Sequence, residues 1–394
     1  MLEASASGPA TPASRRDRLA ARVGVTAIFF ANGLSIGAWA VAIPLVKTLY
    51  GLSDGELSIA LLAAGVGSLS AMPIAGLLPP KLGGTGATLL LTGPISALLL
   101  AALPLVAALP FAYGWLIAVG FLFGVFNILV DVPMNAHASV IERQWDRPIM
   151  SSFHAAWSGG GLVGSAIGGA LIARGANASV ELGVEAAIGL VIMAVAPRLI
   201  GVGDTHASDK AFVLPEGKLI ALGLIAMLAV FSEASVTDWG ALYLNRELGW
   251  TPGAAAYGYS AYAGMMFLAR AFGDGVVRRL GRTQTILAGA ALILLGTGLA
   301  VGFASPWPAV IGFCLIGLGV ANMIPAAFSA SAAAAPTPSI GVAMTATVAY
   351  ASYLLGPPLI GFVASASSLR AAFSMLIVAA LAIAALASRQ ERGR

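Results

Sequence analysis

The stretch PKLGG, residues 80–84, has a counterpart in RRLGR, residues 278–282, which begins 198 residues further along the chain. The same offset separates GLSDGE at 51–56 from GWTPGA at 249–254. In each case the two stretches bracket a long apolar run. Because two matches at one offset are rare by chance, they indicate that the two halves of the chain repeat each other.

The composition identifies the medium in which these halves fold. Of the 394 residues, 59% are hydrophobic and 10% are charged, and the mean hydropathy is +0.91. Soluble domains have about 45–50% apolar and about 25% charged residues, so no soluble core could bury this surface. Apolar runs of about 20 residues recur along the chain, as bilayer-crossing helices require, without the alternation of barrel strands. The sequence therefore predicts an all-α polytopic membrane protein.

Twelve membrane-spanning helices are predicted, in two six-helix pseudo-repeats. They cover approximately 23–46, 57–78, 86–108, 113–138, 150–173, 181–200, 218–243, 254–276, 284–304, 307–330, 340–364 and 369–388. Ser53 with Glu56 forms a capping-box pattern before span 2, and Thr251 with Pro252 supplies an N-cap and a first-turn proline before span 8. The predicted units are an N-terminal tail (1–22), an N-terminal half (23–200), a central linker (201–217), a C-terminal half (218–388) and a C-terminal tail (389–394).

Basic residues are divided unevenly between the two sides of the predicted bundle. Seventeen of the 21 Lys and Arg residues, Arg270 among them, fall in the tails and in loops on the side of the termini. The exceptions are Lys47, Arg174, Arg246 and Arg370. By the positive-inside rule the richer side is cytoplasmic, so we expect a multi-pass protein of the bacterial inner membrane with both termini in the cytoplasm. The net charge of +4 then reflects topology, and no nucleic-acid partner is expected.

The repeated halves and the basic, glycine-bearing turns resemble the major facilitator superfamily over nearly the whole chain. The turn that follows helix 2 in that family appears as GLLPPKLGG (76–84), with Pro80 in place of its Asp and Gly84 in place of its final Arg. The second copy is RAFGDGVVRRLGR (270–282), which keeps Asp274 near several arginines. This resemblance implies two six-helix halves that alternate access to a site between them.

A narrower resemblance joins the chain to the fucose-permease-like branch of bacterial inner-membrane carriers. The stretches that carry it are FFANGLSIGAWAVAIP (29–44), DVPMN (131–135) and SSFHAAWSGGG (151–161). In that branch a helix 4 acid, four residues before an Asn, takes part in proton coupling, which implies this role for Asp131 beside Asn135. A polar residue early in helix 5 contacts the sugar, and His154 takes that position. The second acid of the branch, on helix 1, would fall at Ala40.

Two intramembrane acids are candidates for proton coupling. Asp131 lies about 16 Å from Glu142, which ends its helix on the cytoplasmic side, so it sits near the bilayer midplane. A bare carboxylate there costs at least about 2.5–3.5 kcal/mol on insertion scales, so it should face a cavity or a partner. The alternative is a structural hydrogen bond to a neighbouring helix. Glu233 on helix 7 is the second candidate, with an interhelical pair as its alternative, and Asp238 is expected nearer the external helix end as a gate residue.

Polar and aromatic side chains that share helix faces predict a substrate cavity. Amide and aromatic groups suit a neutral polyhydroxylated solute, although Trp and Tyr also populate membrane interfaces. The cavity candidates are Asn32, Trp39, Asn127, Asn135, His154, Trp157, Thr237, Tyr259, Tyr262, Asn322 and Tyr350. Candidates for a cytoplasmic gate or turn are Lys81, Glu142, Arg143, Asp274, Arg278, Arg279 and Arg282. The series Gly160, Gly164 and Gly168 predicts close helix packing rather than a phosphate loop.

The residues are compatible with three functions. The favoured one is a secondary transporter, not an enzyme, that moves a small polar solute by alternating access coupled to protons, with a sugar-like solute as one option. An efflux carrier that exchanges protons for amphipathic drug-like compounds is the alternative. A non-transporting receptor or an embedded enzyme is the third, but no nucleophile with a base and an orienting acid is recognisable.

The remaining expectations concern cofactors and partners. Three His and the single Cys314 are scattered, so no metal site is expected, and no cofactor is predicted. No Walker-type loop is present, which argues against ATP-driven transport. We expect the partners to be a small-molecule substrate, protons and membrane lipid, and the chain to act as a monomer.

Overall fold

The computed structural model describes residues 15–142, 145, 149–201, 217–335 and 338–392. Within them the chain forms α-helices joined by short turns. The first half contains α1 (Arg15–Tyr50), α2 (Asp54–Leu82), α3 (Thr85–Leu105), α4 (Ala112–Glu142), α5 (Met150–Ala173) and α6 (Ala178–Val195). The second contains α7 (Lys218–Leu242), α8 (Pro252–Leu280), α9 (Arg282–Gly302), α10 (Pro306–Val320), α11 (Met323–Ala334), α12 (Pro338–Ala349), α13 (Ala351–Ala366) and α14 (Leu369–Arg392).

These helices account for the twelve predicted spans. Eleven segments of the described chain are long and apolar enough to cross a membrane, as judged by length and composition. The twelfth span is α8, which has 29 residues but is more polar because it carries several tyrosines and Arg270. Two spans of the second half are each built from two helices. The breaks fall at residues 321–322 and at Tyr350, so Asn322 and Tyr350 lie where regular helix stops.

The helix starts predicted from local sequence are confirmed. The Ser53 hydroxyl accepts a hydrogen bond from the Glu56 backbone N–H at 3.2 Å, and the Glu56 carboxylate accepts one from the Ser53 N–H at 2.8 Å. Thr251 accepts from the Ala254 N–H at 3.3 Å, with Pro252 as the first helical residue. These contacts span three residues, which is why the sequence alone could specify them.

Part of the predicted N-terminal tail (1–22) is helical. Helix α1 already begins at Arg15, so residues 15–22 are helical. The Arg22 guanidinium lies 4.6 Å from the ring centre of Trp145, in the α4–α5 connection. This cation–π contact ties the start of α1 to the bundle, which explains why the helix begins before the apolar run does. At the other end α14 continues to Arg392, beyond the predicted boundary at 388.

Helices of the first half approach each other through glycines. A Cβ atom on Gly160 of α5 would overlap the Phe30 carbonyl oxygen of α1, and one on Gly164 would overlap that of Leu34. On the neighbouring pair, a Cβ on Gly124 of α4 would overlap the Ala64 carbonyl of α2. The predicted role of Gly160 and Gly164 in close packing is thus confirmed. Backbone contact of this kind is how membrane helices gain dispersion energy without a hydrophobic driving force.

The two halves meet along α5 with α8 and along α2 with α13. Both contacts are tight at the end of the bundle where α2 and α8 begin: a Cβ on Gly253 would lie 2.9 Å from the Ala173 backbone. At the same end Asp54 of α2 pairs with Lys47 of α1 at 2.7 Å and with Arg246, which follows α7. This ion-paired cluster links α1 and α2 to the second half, so the bundle is closed at that end.

Candidate functional site

The acid of helix 4 lies in the middle of a continuous helix. Asp131 is eleven residues from the end of α4 at Glu142, which corresponds to about 16 Å. The Asn135 side-chain amide donates to the Asp131 backbone carbonyl at 2.9 Å and to its carboxylate at 3.3 Å. Both side chains are partly exposed. The predicted pairing of these two residues on one wall of α4 is therefore present.

The Asp131 carboxylate is directed to the opposite half of the molecule. It is within electrostatic range of the Tyr350 and Tyr353 hydroxyls, at the break between α12 and α13. The two tyrosine rings are stacked with their centres 5.9 Å apart. Asp131 of the first half and the two tyrosines of the second half thus lie close enough to interact electrostatically.

A second group of polar side chains surrounds Arg270 of α8. Its guanidinium donates to the Ser158 hydroxyl of α5 at 2.7 Å and lies 5.4 Å from the ring centre of Trp157. The Glu233 carboxylate of α7 is 3.7 Å away. Only 11% of the Arg270 side chain and 17% of the Glu233 side chain is exposed. This group, which we call the Arg270 cluster (Trp157, Ser158, Glu233 and Arg270), joins the two halves at the level of the tyrosines of α8.

Predicted cavity residues extend the Arg270 cluster on both sides. The Trp157 indole N–H donates to the Asn32 side-chain oxygen of α1 at 2.8 Å. Tyr259 and Tyr262 are buried with ring centres 5.7 Å apart. Tyr259 is within electrostatic range of Glu233 and in hydrogen-bonding contact with Thr237. The structure thus brings candidates from α1, α5, α7 and α8 together around one guanidinium.

The other cavity candidates lie at the margins of this group. His154 is edge-on to Phe29 at 5.4 Å and within electrostatic range of Arg270. The Asn322 amide donates to the Ala269 carbonyl at 3.1 Å, and so holds the break between α10 and α11 against α8. Trp39 is partly buried against the large apolar core, and Asn127 is partly exposed on α4 one turn from Asp131.

Residues 25–344 match the sequence profile of the Major Facilitator Superfamily. The chain belongs to the major facilitator superfamily. An uncharacterized MFS-type transporter of Yersinia pestis is 35% identical over 362 residues, covering 91% of this chain and 93% of the relative. Membrane protein MosC of Rhizobium meliloti is 31% identical and covers 90% of this chain and 86% of the relative.

Solved structures of the superfamily have the same fold. A mutant of the nucleoside transporter NupG has a TM-score of 0.74 at 11% identity, covering 94% of this chain and 99% of that one. A variant of the Escherichia coli fucose:proton symporter FucP has a TM-score of 0.65 at 17% identity, covering 95% and 99%. These similarities support the twelve-helix fold, and membership of the superfamily indicates a multi-pass membrane transporter.

The gate candidates of this superfamily member fall into two groups. Glu142 accepts backbone hydrogen bonds from Ile149 at 2.8 Å and Met150 at 2.9 Å, and thereby caps the start of α5. Lys81, Arg278, Arg279 and Arg282 are exposed at helix ends. Arg143 lies outside the described residues, as do the side chain of Asp274 and most of the predicted linker. Glu142 therefore has a structural function at the turn.

Arg270 was counted with the basic residues of the cytoplasmic side, although it falls inside the predicted span 254–276. The structure places it inside α8, ten residues before the end of the helix, with only 11% of its side chain exposed. It is therefore a residue of the span and not of a loop. Leaving Arg270 out of the loop residues does not reverse the charge asymmetry. The counter-charge at Glu233, 37 residues earlier on another helix, could not be assigned from spacing.

Sequence reasoning also missed two acids on α6, Glu181 and Glu185. Both are fully buried, and within the described chain their four carboxylate oxygens have no hydrogen-bond partner. A Cβ on Gly168 of α5 would lie 2.5 Å from the Glu181 carboxylate, so that glycine makes room for the acid as well as for packing. Acids without a partner are unusual in a protein interior, because an unpaired buried charge is costly. Their i, i+4 spacing within an apolar run was the available signal.

The described residues contain no group of three or more His, Cys, Asp or Glu side chains that could hold a metal ion. The single cysteine, Cys314, is partly exposed on α10.

Proposed function

We propose that this chain is a secondary transporter that moves a small polar solute by alternating access and couples the movement to protons through Asp131. The observation that carries the proposal is the position of Asp131. Its partly exposed carboxylate lies in the middle of α4, held by Asn135 and facing Tyr350 of the other half. A carboxylate at this depth is stable only if it is protonated or partnered, so a change in its exposure between conformations can drive proton uptake and release.

Alternating access requires two bodies that can move against each other. In our proposal these are the N-terminal half (23–200) and the C-terminal half (218–388), with the substrate near the Arg270 cluster and Asn32. Contacts between the halves are made by α5 with α8 and by α2 with α13. The cluster of Lys47, Asp54 and Arg246 supports closure at one end. Opening at that end would separate Asp54 from Arg246. Both side chains are partly exposed, so contacts with water can replace the contact between them.

The first prediction concerns transport by the wild-type protein. Proteoliposomes with an imposed pH gradient are expected to accumulate a small polar solute, chosen from those that raise the thermal midpoint of the purified protein. A proton ionophore should abolish the accumulation, whereas counterflow without a gradient should persist. If no solute that binds is ever concentrated by the gradient, proton-coupled transport is contradicted. Accumulation only of amphipathic compounds in the opposite direction would favour the efflux alternative.

The second prediction concerns orientation in the bacterial inner membrane, with both termini in the cytoplasm. In a Cys314→Ala background, single cysteines at Ser53 and Thr251 should react with a membrane-impermeant thiol reagent added outside intact cells. A cysteine at the exposed Lys81 should react only after the membrane is opened. The first two positions precede α2 and α8, and the third ends α2. Reversed accessibility of the two sets would contradict the proposed topology.

A further inference from the structure

Arg270 is a permanent positive charge in a place where a membrane protein has to compensate it. The residue lies within α8 and its side chain is 11% exposed. An arginine in the interior of a membrane protein faces a cavity or a counter-charge, and commonly marks the path of a charged substrate. The partners of Arg270 therefore indicate which chemistry the site accepts.

The acidic side chain next to Arg270 makes only a long contact with its guanidinium. Arg270 and Glu233 are 3.7 Å apart, which exceeds the 2.7–2.9 Å typical of a charge-assisted hydrogen bond. Its short hydrogen bond, at 2.7 Å, is instead to the uncharged Ser158 hydroxyl. A guanidinium has five N–H donors in a planar fork whose geometry matches both oxygens of a carboxylate. A ligand carboxylate could therefore make a tighter contact than Glu233 does.

The neighbouring groups suit a ligand that also carries hydroxyls. The Tyr262 hydroxyl is buried, has no hydrogen-bond partner within the described chain, and is within electrostatic range of Arg270 and Glu233. A buried hydroxyl without a partner is destabilising, and a hydrogen bond to a ligand hydroxyl would remove that penalty. The Trp157 ring, oriented by Asn32, offers an apolar face next to the charge. A charge, a hydroxyl without a partner and an aromatic ring thus lie near one guanidinium.

We propose that Arg270 binds the carboxylate of the transported solute and that the substrate is a small hydroxylated carboxylic acid. The inference rests on the proposed transport function and specifies its substrate class. In the empty site Glu233 balances the guanidinium. On binding, the ligand carboxylate pairs with the N–H fork of Arg270, and Glu233 is left beside the Tyr259 hydroxyl, which is already within electrostatic range of it. Asp131 lies on a different wall, opposite Tyr350, and remains free for the proton.

The test uses hexose probes of different charge: galacturonate has a carboxylate at C6, galactosamine has an ammonium group at C2, and galactose is neutral. Galacturonate, galactose and galactosamine are added separately to the purified full-length protein, and ligand-induced thermal stabilisation is measured across concentrations. Galacturonate is expected to stabilise the wild type, whereas galactose and galactosamine are expected to have little effect. Lactate and 1,2-propanediol form a second, smaller pair with the same expected order.

Variants of Arg270 then test whether this residue is responsible for the stabilisation by galacturonate. Arg270→Gln should weaken galacturonate binding by about 30-fold or more, the cost of removing one partner of a buried charge pair. Arg270→Lys keeps the charge but loses the fork, so it should weaken binding less. The double variant Arg270→Gln with Glu233→Gln leaves no unpaired charge, and so tests binding even if the single variant does not fold. Arg174→Gln, an exposed arginine at the end of α5, is the matched control and should bind as the wild type does.

The outcomes separate this inference from the proposed function. Stabilisation by galacturonate that is lost in both Arg270→Gln variants supports it. Binding of galactose or galactosamine in preference to galacturonate overturns it. So does galacturonate binding that survives in the double variant, and so does the finding that neither galacturonate nor lactate stabilises the protein. In those cases a pH-driven accumulation of a neutral or cationic solute would still uphold proton-coupled transport.

Discussion

Replacing Asp131 with asparagine is expected to abolish uphill accumulation while leaving exchange intact. Asparagine keeps the shape of the side chain and its contact with the Asn135 amide, but it cannot bind or release a proton. A gradient of one pH unit stores about 1.4 kcal/mol per proton, enough for an about tenfold concentration ratio in the wild type. The ratio for Asp131→Asn should fall to about one, because reorientation of the carrier is no longer linked to protonation.

The measurement is proteoliposome uptake with an imposed pH gradient, alongside counterflow without one. Glu233→Gln is the matched variant, since it removes the other acid that faces the space between the halves. Because Glu233 accompanies Arg270, we expect Glu233→Gln to alter substrate affinity more than the dependence on the gradient. If Asp131→Asn still accumulates solute to the wild-type level, the proton site is elsewhere. If Asp131→Asn loses both accumulation and counterflow, Asp131 is structural.

The second large effect is expected at Gly124, where α4 contacts the backbone of α2. A methyl group there would overlap the Ala64 carbonyl oxygen, and both partners are backbone atoms that cannot rotate away. The helices must separate or the pair must tilt, which in a close-packed interior costs about 1–3 kcal/mol or more. This exceeds the gain of up to about 1 kcal/mol that alanine has over glycine within a helix. Gly124→Ala should therefore lower the free energy of unfolding and the yield of folded protein.

Gly183→Ala provides the matched control for this prediction. Gly183 is also inside a helix of the first half, α6, but nothing lies within 4 Å of the position that its Cβ would occupy. The substitution adds the same methyl group without a clash, so its thermal midpoint should equal or exceed that of the wild type. Midpoints are compared in one detergent, without ligand. Equal midpoints for Gly124→Ala and Gly183→Ala would mean that α2 and α4 are not in backbone contact.

What the sequence determined by itself was the part of the fold that depends on local patterns. Hydropathy specified the spans because each span must satisfy its own backbone hydrogen bonds in lipid. The caps at Ser53 and Thr251 were specified because their partners lie three residues away. The repeat and the basic, glycine-bearing turns led to the superfamily because both can be recognised from the sequence of residues alone.

Only the tertiary structure decided which polar groups meet. Arg270 contacts Ser158, 112 positions earlier, and Glu233 on a third helix, and these contacts depend on how α5, α7 and α8 are rotated and shifted against each other. That register is determined by small residues such as Gly160 and Gly124, whose backbone contacts depend on the partner helix as much as on their own sequence. The burial of Glu181 and Glu185 follows from the same packing, because lipid and protein interior are equally apolar and hydropathy cannot distinguish them.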